Sequence, residues 1–258
     1  GNYEKIEKLD ADLSGFNSFC SSLKSSQLVN LSLTKCYLGP EALAMLANAI
    51  KFMATVNCLT LDSTGDKYNP KTYTLTAGED KIDLSNKYLG PADINLISAW
   101  LATDAGALVT SINCLNNPLG DGVQDIIKVF EETPRLRTLC GLEEGVEQID
   151  WSDSGKGLAD VALLAADLKA GRASAAVYEV NISMNPIGFD GAKALGDVIS
   201  TSSLKCLIIG PKGTRLPVND AEVAELDFEG QDFTSTEVTL VAAATSTLAM
   251  LHNLRVSS

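Results

Sequence analysis

The chain has 258 residues, of which 45% are hydrophobic but only 6% aromatic, so aliphatic side chains must supply most of its core. Its 33 acidic and 20 basic residues give a formal net charge of −13. An acidic surface repels phosphate backbones and anionic lipid headgroups, which disfavours nucleic-acid and membrane-surface binding and is permissive for a basic protein partner.

The sequence shows no targeting or membrane-spanning segment. No apolar run approaches the roughly 20 residues that cross a bilayer, and Gly1 to Lys5 do not begin a secretory signal. We expect no direct membrane insertion. The sequence does not determine the cellular compartment, although it favours the cytoplasm. The six cysteines lie at least 16 residues apart and His252 is the only histidine, which favours buried free thiols over a zinc site.

Strand-like and helix-like segments alternate along the chain. The clearest copies of the strand-and-turn pattern L-x-x-L-x-L-x-x-N/C-x-L are residues 28–39, 109–120 and 177–188. Helical spacing of apolar residues follows in Glu41–Ile50, directly after Pro40, and in Gly188–Ile199. Each unit is therefore predicted to be a strand, a turn and a helix, whose apolar face is buried only by stacking on its neighbours.

Weaker copies extend the pattern to eleven predicted strands. Their central apolar positions are Leu9, Leu31, Leu59, Ile82, Ile112, Leu139, Ile149, Val180, Leu207, Leu226 and Leu254. The spacings vary with a period of three units, which predicts that a hairpin, a loop or a small β-excursion replaces every third helix. One such replacement, residues 62–81, contains the strand-like segment Thr72–Leu75.

Two segments, Asn117–Gly122 and Asn185–Ala192, each lead into a helix and resemble the ribonuclease-inhibitor-like class of leucine-rich repeats. The resemblance implies a single α/β domain over residues 1–258. It would be a leucine-rich-repeat solenoid, or horseshoe, with a parallel β-sheet on its concave face and helices and hairpin or loop excursions on its convex side. In this class the asparagine side chain of the turn satisfies backbone groups, which we expect of Asn117 and Asn185.

The two ends of the chain depart from the repeat. Residues 1–27 form a short unit that is rich in serine, and are predicted to be an atypical N-terminal unit or cap. Leu251–Val256 is a new strand with no helix after it. Because an uncovered strand edge exposes core and unpaired backbone, we expect more chain or another subunit to cover this C-terminal edge.

Aspartate recurs between the last two apolar positions of four predicted strands, as Asp10, Asp83, Asp150 and Asp227. Side-chain alternation would send it to the concave surface, where strands three steps apart lie about 14 Å from each other, too far for a general acid–base pair. The position is either a solvated one repeated by duplication or an acidic stripe for a basic partner. With polar neighbours added, the candidate concave binding face is Asp83, Asn113, Asp150, Tyr178, Asn181 and Asp227.

No template for catalysis is complete. His252 has no partner in a recognisable motif, and Gly210–Thr214 has the wrong spacing for a phosphate-binding loop. We therefore expect no enzyme activity, no metal and no cofactor. The sequence predicts a non-enzymatic protein-binding or architectural scaffold that is a subunit of a larger assembly. The alternative is a small-ligand or sensor module, or an enzyme with an unrecognised site.

Overall fold

The computed structural model describes residues 9–257, with side chains to Val256. The expectations for the first eight residues, which include the start of the predicted N-terminal cap, lie outside this range. The chain divides into two compact units. The first runs up to Ile112 and includes Asn117–Leu136, and the second contains Asn113–Asn116 and continues from Arg137.

The first unit contains four α-helices, each packed against the next along the chain. The helices are α1 (Ser14–Leu23), α2 (Pro40–Ile50), α3 (Pro91–Leu101) and α4 (Gly122–Glu132). Its strands are β1 (Asn30–Ser32), β2 (Cys58–Asp62), β3 (Thr72–Thr76), β4 (Lys81–Asp83) and β5 (Ser111–Asn113), the last of which runs into the second unit. A short 3₁₀ helix at Asp104–Gly106 follows α3.

The second unit contains three α-helices, of which the middle one packs against both others. The helices are α5 (Leu158–Ala170), α6 (Gly188–Ile199) and α7 (Ser235–Thr245). Its strands are β6 (Gln148–Asp150), β7 (Glu179–Asn181), β8 (Cys206–Ile209), β9 (Thr214–Pro217), β10 (Glu225–Glu229) and β11 (Asn253–Ser257).

Local sequence signals account for the helices. The two predicted helical segments are confirmed, because α2 begins at Pro40 and α6 covers Gly188–Ile199. Proline suits the first turn of a helix, where its missing N–H would have no partner. In α2 the side chains of Leu43, Leu46 and Ile50 are fully buried at helical spacing, so one apolar stripe attaches the helix to the core.

The predicted horseshoe with one continuous parallel sheet is wrong. The described strands form four separate sheets of two to four strands, in the orders β1-β2-β3, β4-β5, β6-β7-β8-β9 and β10-β11. The parallel pairs β1–β2, β6–β7 and β7–β8 each join only three residues per strand. Short ladders of this kind do not continue along the described chain as a solenoid.

Two returning strands end the parallel pairing in two of the four sheets. β3 pairs antiparallel with β2 over five residues, and β9 pairs antiparallel with β8 over four. Each takes the sheet edge whose backbone groups a further parallel strand would need. The strand-like segment Thr72–Leu75 is confirmed within β3, and both returning strands belong to sheets.

Most predicted strand positions were nevertheless correct. Nine of the eleven predicted central positions lie in strands. The exceptions are Leu9, which lies in a turn, and Leu139, which lies in a bend next to the single bridge between Cys140 and Asn113. Apolar alternation therefore located the strands without determining which of them would pair.

The packing of α4 on α3 depends on a glycine, and we predict that Gly122→Ala lowers the free energy of unfolding by about 1–3 kcal/mol. A Cβ on Gly122 would lie 2.9 Å from the Cα of Pro91 and 3.3 Å from the side chain of Ile94. The nearest atom belongs to the backbone, so α3 itself would have to move. Urea unfolding measures the effect.

The control is Gly15→Ala in α1, where nothing lies within 4 Å of the added Cβ. Alanine should be neutral or slightly stabilising there, because glycine disfavours helix by about 1 kcal/mol. Equal destabilisation by the two substitutions would contradict the packing argument.

Candidate functional site

Five of the six candidate residues form the same local hydrogen bond, in which the side-chain oxygen accepts from the backbone N–H two residues later. The pairs are Asp83 with Ser85, Asn113 with Leu115, Asp150 with Ser152, Asn181 with Ser183, and Asp227 with Glu229, at 2.9–3.2 Å. Short Asp and Asn side chains form such Asx turns readily, because they reach their own backbone. The recurrence of these residues, four of them at strand ends, therefore has a structural reason.

The structure distributes the candidate residues over three sheets. Asp150 and Asn181 are register partners in β6 and β7, and Tyr178 directly precedes β7, where its hydroxyl accepts a hydrogen bond from Gln148 Nε2 at 2.6 Å. Asp83 ends β4 and Asn113 ends β5. Asp227 lies in β10 and belongs to a third sheet, so the structure brings together only part of the predicted face.

The recurring aspartates also differ from each other. Asp150 is exposed, and the hydrogen bonds that it accepts from the backbone N–H and the hydroxyl of Ser152 lower the pKa of its carboxyl. Asp10 forms no such turn. Its carboxylate accepts from the backbone N–H of Gly39 at 3.0 Å and of Glu41 at 2.8 Å, at the N-terminus of α2. Asp10 thus satisfies helix-end donors and neutralises the positive end of the helix dipole.

The Asx turns allow the charge of these aspartates to be tested separately from their geometry. We predict that Asp83→Ala lowers the free energy of unfolding by about 0.5–1.5 kcal/mol, because one hydrogen bond is lost, and that Asp83→Asn changes it little. The amide oxygen accepts as the carboxylate does, as Asn113 already shows. Both variants can be compared by urea unfolding. If Asp83→Asn lowers the free energy of unfolding as much as Asp83→Ala does, the negative charge and not the hydrogen bond is what stabilises this position.

Asn117 and Asn185 satisfy backbone groups of turns, as the resemblance implied. Asn185 Oδ1 accepts from the backbone N–H of Lys156 at 2.8 Å and of Ser154 at 3.2 Å, and its Nδ2 donates to the carbonyl of Trp151 at 2.6 Å. Each amide thus connects its own turn to the turn about 30 residues earlier in the chain. This role stabilises the fold and leaves the two side chains unsuited to binding a partner.

Several acidic residues in helices are also structural. Asp93 is buried, and its carboxylate accepts from the backbone N–H groups of Thr64 and Gly90, both at 2.8 Å, and from the hydroxyl of Tyr73 at 3.0 Å. Burial raises its pKa, while these bonds act in the opposite direction. Asp93 thus joins α3 to the β2–β3 hairpin.

The groups with catalytic potential do not converge. His252 is exposed, with its Nε2 3.8 Å from Glu225 Oε1. All six cysteines are free thiols, and the predicted burial is confirmed for four of them, whereas Cys36 is exposed and Cys58 is half-buried. Among residues 9–257 no group of three or more His, Cys, Asp or Glu side chains could hold a metal ion.

The recesses of the two units are small or open. A cleft in the first unit, lined by Leu33, Tyr37, Asp62 and Lys67 among others, has a volume of about 30 Å³, which is room for about one water molecule. A groove of about 300 Å³ runs between α6 and α7, with Lys193, Asp197 and Ser246 in its lining. Neither recess gathers titratable groups with perturbed pKa values, which is the usual mark of an active site.

The edge of the β10–β11 sheet presents apolar and charged groups together. Parallel register pairs Leu226 with Leu254 and Phe228 with Val256, so all four share one face. Leu226 and Phe228 are buried, but Leu254 is 43% and Val256 37% exposed. Within the described residues no strand pairs with the other edge of β11.

Leu254 is an exception among the central strand positions. The nine such positions from Leu31 to Leu226 are all buried, with at most 8% of each side chain exposed. Leu254 continues this series in β11, whose one neighbouring strand among the described residues is β10. Strand alternation marked it in the sequence but did not indicate that it would be exposed.

Comparison with known proteins assigns no family, because no protein-family model and no curated protein matches this sequence. The resemblance to ribonuclease-inhibitor-like leucine-rich repeats therefore stays a prediction. Within residues 9–257, none of the helices combines the length and the apolar character that crossing a membrane requires.

Proposed function

We propose that this chain is a non-enzymatic protein-binding or architectural scaffold, a subunit of a larger assembly, and that a protein partner covers the edge of β11. The observation that carries the proposal is the exposure of Leu254 and Val256 beside the buried Leu226 and Phe228. An apolar sheet face next to an unpaired strand edge favours association, because burying it removes apolar surface from water and satisfies backbone groups.

Rough magnitudes support a contact of this kind. Full burial of a leucine or valine side chain contributes about 1.5–3 kcal/mol, and Leu254 and Val256 each have over a third of their surface left to bury. A further exposed apolar residue, Met250, lies on the connection that leads from α7 into β11. The net charge of −13 further favours a protein partner over a nucleic acid. The prediction that this partner is basic rests on that charge.

Site-specific photo-cross-linking in the native source tests the proposal. A photoreactive residue at position 256 is compared with one at Phe189, which is also apolar and 56% exposed but lies in α6. We expect one protein to cross-link reproducibly at 256 and not at 189. Once purified, that protein should bind the chain at least tenfold more weakly after Val256→Asp and unchanged after Phe189→Asp.

Two results would overturn the proposal. The first is protein adducts of equal yield at both positions, which would make the 256 adducts nonspecific. The second is no protein adduct at 256 together with a small molecule from the same source that raises the melting temperature of the chain, which would favour a ligand-binding module.

A further inference from the structure

Lys156 is buried at a position where the other α-helices with an extended N-cap have an apolar residue. The residue before the N-cap is Leu38 in α2, Leu89 in α3 and Phe233 in α7, but it is Lys156 in α5. Only 6% of Lys156 is exposed, and Leu89 at the equivalent position is fully buried. We propose that Lys156 is a conformational latch, which fastens the turn at Asn116 to the start of α5 and opens without unfolding the second unit.

The latch is one hydrogen bond to a neutral acceptor. Lys156 Nζ donates to Asn116 Oδ1 at 2.6 Å and lies 5.3 Å from the centre of the Trp151 ring. Within the described part of the chain it forms no ion pair with a carboxylate. The carboxylate of Asp160 instead accepts from the backbone N–H groups of Asn116 at 2.6 Å and Gly157 at 3.0 Å. The desolvation of a buried ammonium group therefore opposes closure of the latch.

A leucine would suit this position better than the lysine does. Leu89 shows that a leucine is fully buried before the equivalent helix, and Asn116 is exposed, so that its amide bonds to water once the lysine is gone. Replacing a buried charge by an apolar side chain of similar volume is often neutral or stabilising. Lysine at position 156 thus lowers stability, and such departures from the local pattern are typical of functional positions.

The latch holds one part of the connection between β5 and α4. Asn113–Asn116 belongs to the second unit, although the residues on both sides of it belong to the first. The backbone N–H of Cys114 donates to the carbonyl of Leu139 at 2.9 Å, and Asn116 has a left-handed backbone with a φ of 58°. With Lys156 released, Asn116 would be attached to α5 through its backbone N–H alone.

The first unit secures the equivalent helix start in another way. There the hydroxyl groups of Thr64 and Tyr73 donate to the carboxylate of Asp93 in α3 at 2.7 Å and 3.0 Å. Tyr73 lies in the β2–β3 hairpin, whereas no strand lies between β5 and β6 in the described chain. Lys156 supplies to α5 the side-chain link that the hairpin supplies to α3. Because one flexible side chain takes the place of a packed hairpin, this link opens by itself.

Hydrogen exchange and urea unfolding of the whole chain test the latch. In Lys156→Leu we expect the amide of residue 116 to exchange about tenfold faster, although the urea midpoint of the chain rises. Asn116→Gly removes the acceptor and fits the left-handed backbone, so it should speed this exchange as well, and adding Lys156→Leu should speed it no further. The control is Lys193→Leu, at an exposed lysine of α6, which should leave exchange at residue 116 unchanged.

Either of two results would overturn the latch. Unchanged or slower exchange at residue 116 in Lys156→Leu would show that the lysine does not hold the turn. A lower urea midpoint in the same variant would show that Lys156 is an ordinary stabilising part of the core. Both measurements are independent of the partner proposed for β11, so either proposal can fail without the other.

Discussion

Replacing Asn117 with alanine is expected to lower the free energy of unfolding by about 3–4 kcal/mol. The side chain is only 7% exposed. Its Oδ1 accepts from the backbone N–H groups of Lys87 at 2.9 Å and Leu89 at 3.0 Å, and its Nδ2 donates to the carbonyl of Leu84 at 2.8 Å. Alanine removes these bonds from buried backbone groups, each of which costs about 1–3 kcal/mol when left unsatisfied.

Two further variants show whether the hydrogen bonds are the cause. Asn95→Ala removes an exposed asparagine from α3 in the same unit and should change stability by less than about 0.5 kcal/mol. Asn117→Asp keeps the acceptor but cannot donate to Leu84 when ionised, so it should be intermediate. Urea unfolding measures all three. A loss below about 1 kcal/mol for Asn117→Ala would show that the backbone finds other partners.

The buried carboxyl of Asp167 should make the stability of the second unit depend on pH. Asp167 lies in α5 with no exposed surface, and desolvation raises its pKa to about 6 from the usual 3.8. The hydroxyl of Thr138 at 2.5 Å and the backbone N–H groups of Leu139 at 2.8 Å and Cys140 at 3.2 Å donate to it. These donors stabilise the ionised carboxylate and so lower its pKa, but they do not offset the larger increase that desolvation causes.

The free energy of unfolding should therefore fall as the pH rises from 3.8 to about 6. Between pH 3.8 and about 6 the folded state retains a proton on Asp167 that the unfolded state has released. At 1.36 kcal/mol for each pKa unit, the contribution of this group to the free energy of unfolding decreases by about 3 kcal/mol in total, of which about 2 kcal/mol is lost between pH 3.8 and 6. The contribution is complete well below pH 3.8 and absent well above pH 6.

Unfolding of the wild-type chain and of Asp167→Asn by urea at pH 4 to 7 measures this effect. The asparagine variant cannot ionise, so its stability relative to wild type should improve by about 2 kcal/mol from pH 4 to pH 6.5. Asp190→Asn, which removes an exposed carboxylate from α6, controls for the loss of one charge. Parallel pH profiles for wild type and Asp167→Asn would contradict the prediction.

The sequence around Asp167 hints at its role but does not identify its partners. Asp167 is the one charged residue in the segment Val161–Leu168, all of which is buried in α5. An acidic residue inside such an apolar run needs hydrogen-bond donors from elsewhere. Those donors come from Thr138 to Cys140, almost 30 residues earlier, and no local pattern points to them.

The sequence by itself determined the local elements of this protein. Proline before an apolar helical stripe placed α2, and alternation placed nine of the eleven predicted central positions in strands. The Asx turns at Asp83 and Asn181 and the turn amide of Asn185 also follow from residue type, because each residue bonds to nearby backbone. These features depend on a few neighbouring residues, so a sequence pattern is sufficient to predict them.

Only the tertiary structure decided how the elements pair. The strands form four separate sheets in place of the expected one, and β3 and β9 turn back to occupy the edges of two of them. Strand alternation is the same whichever neighbour a strand takes, so periodicity could not predict this result. Alternation likewise gives Leu254 the pattern of a buried strand residue, but it lies 43% exposed on β11.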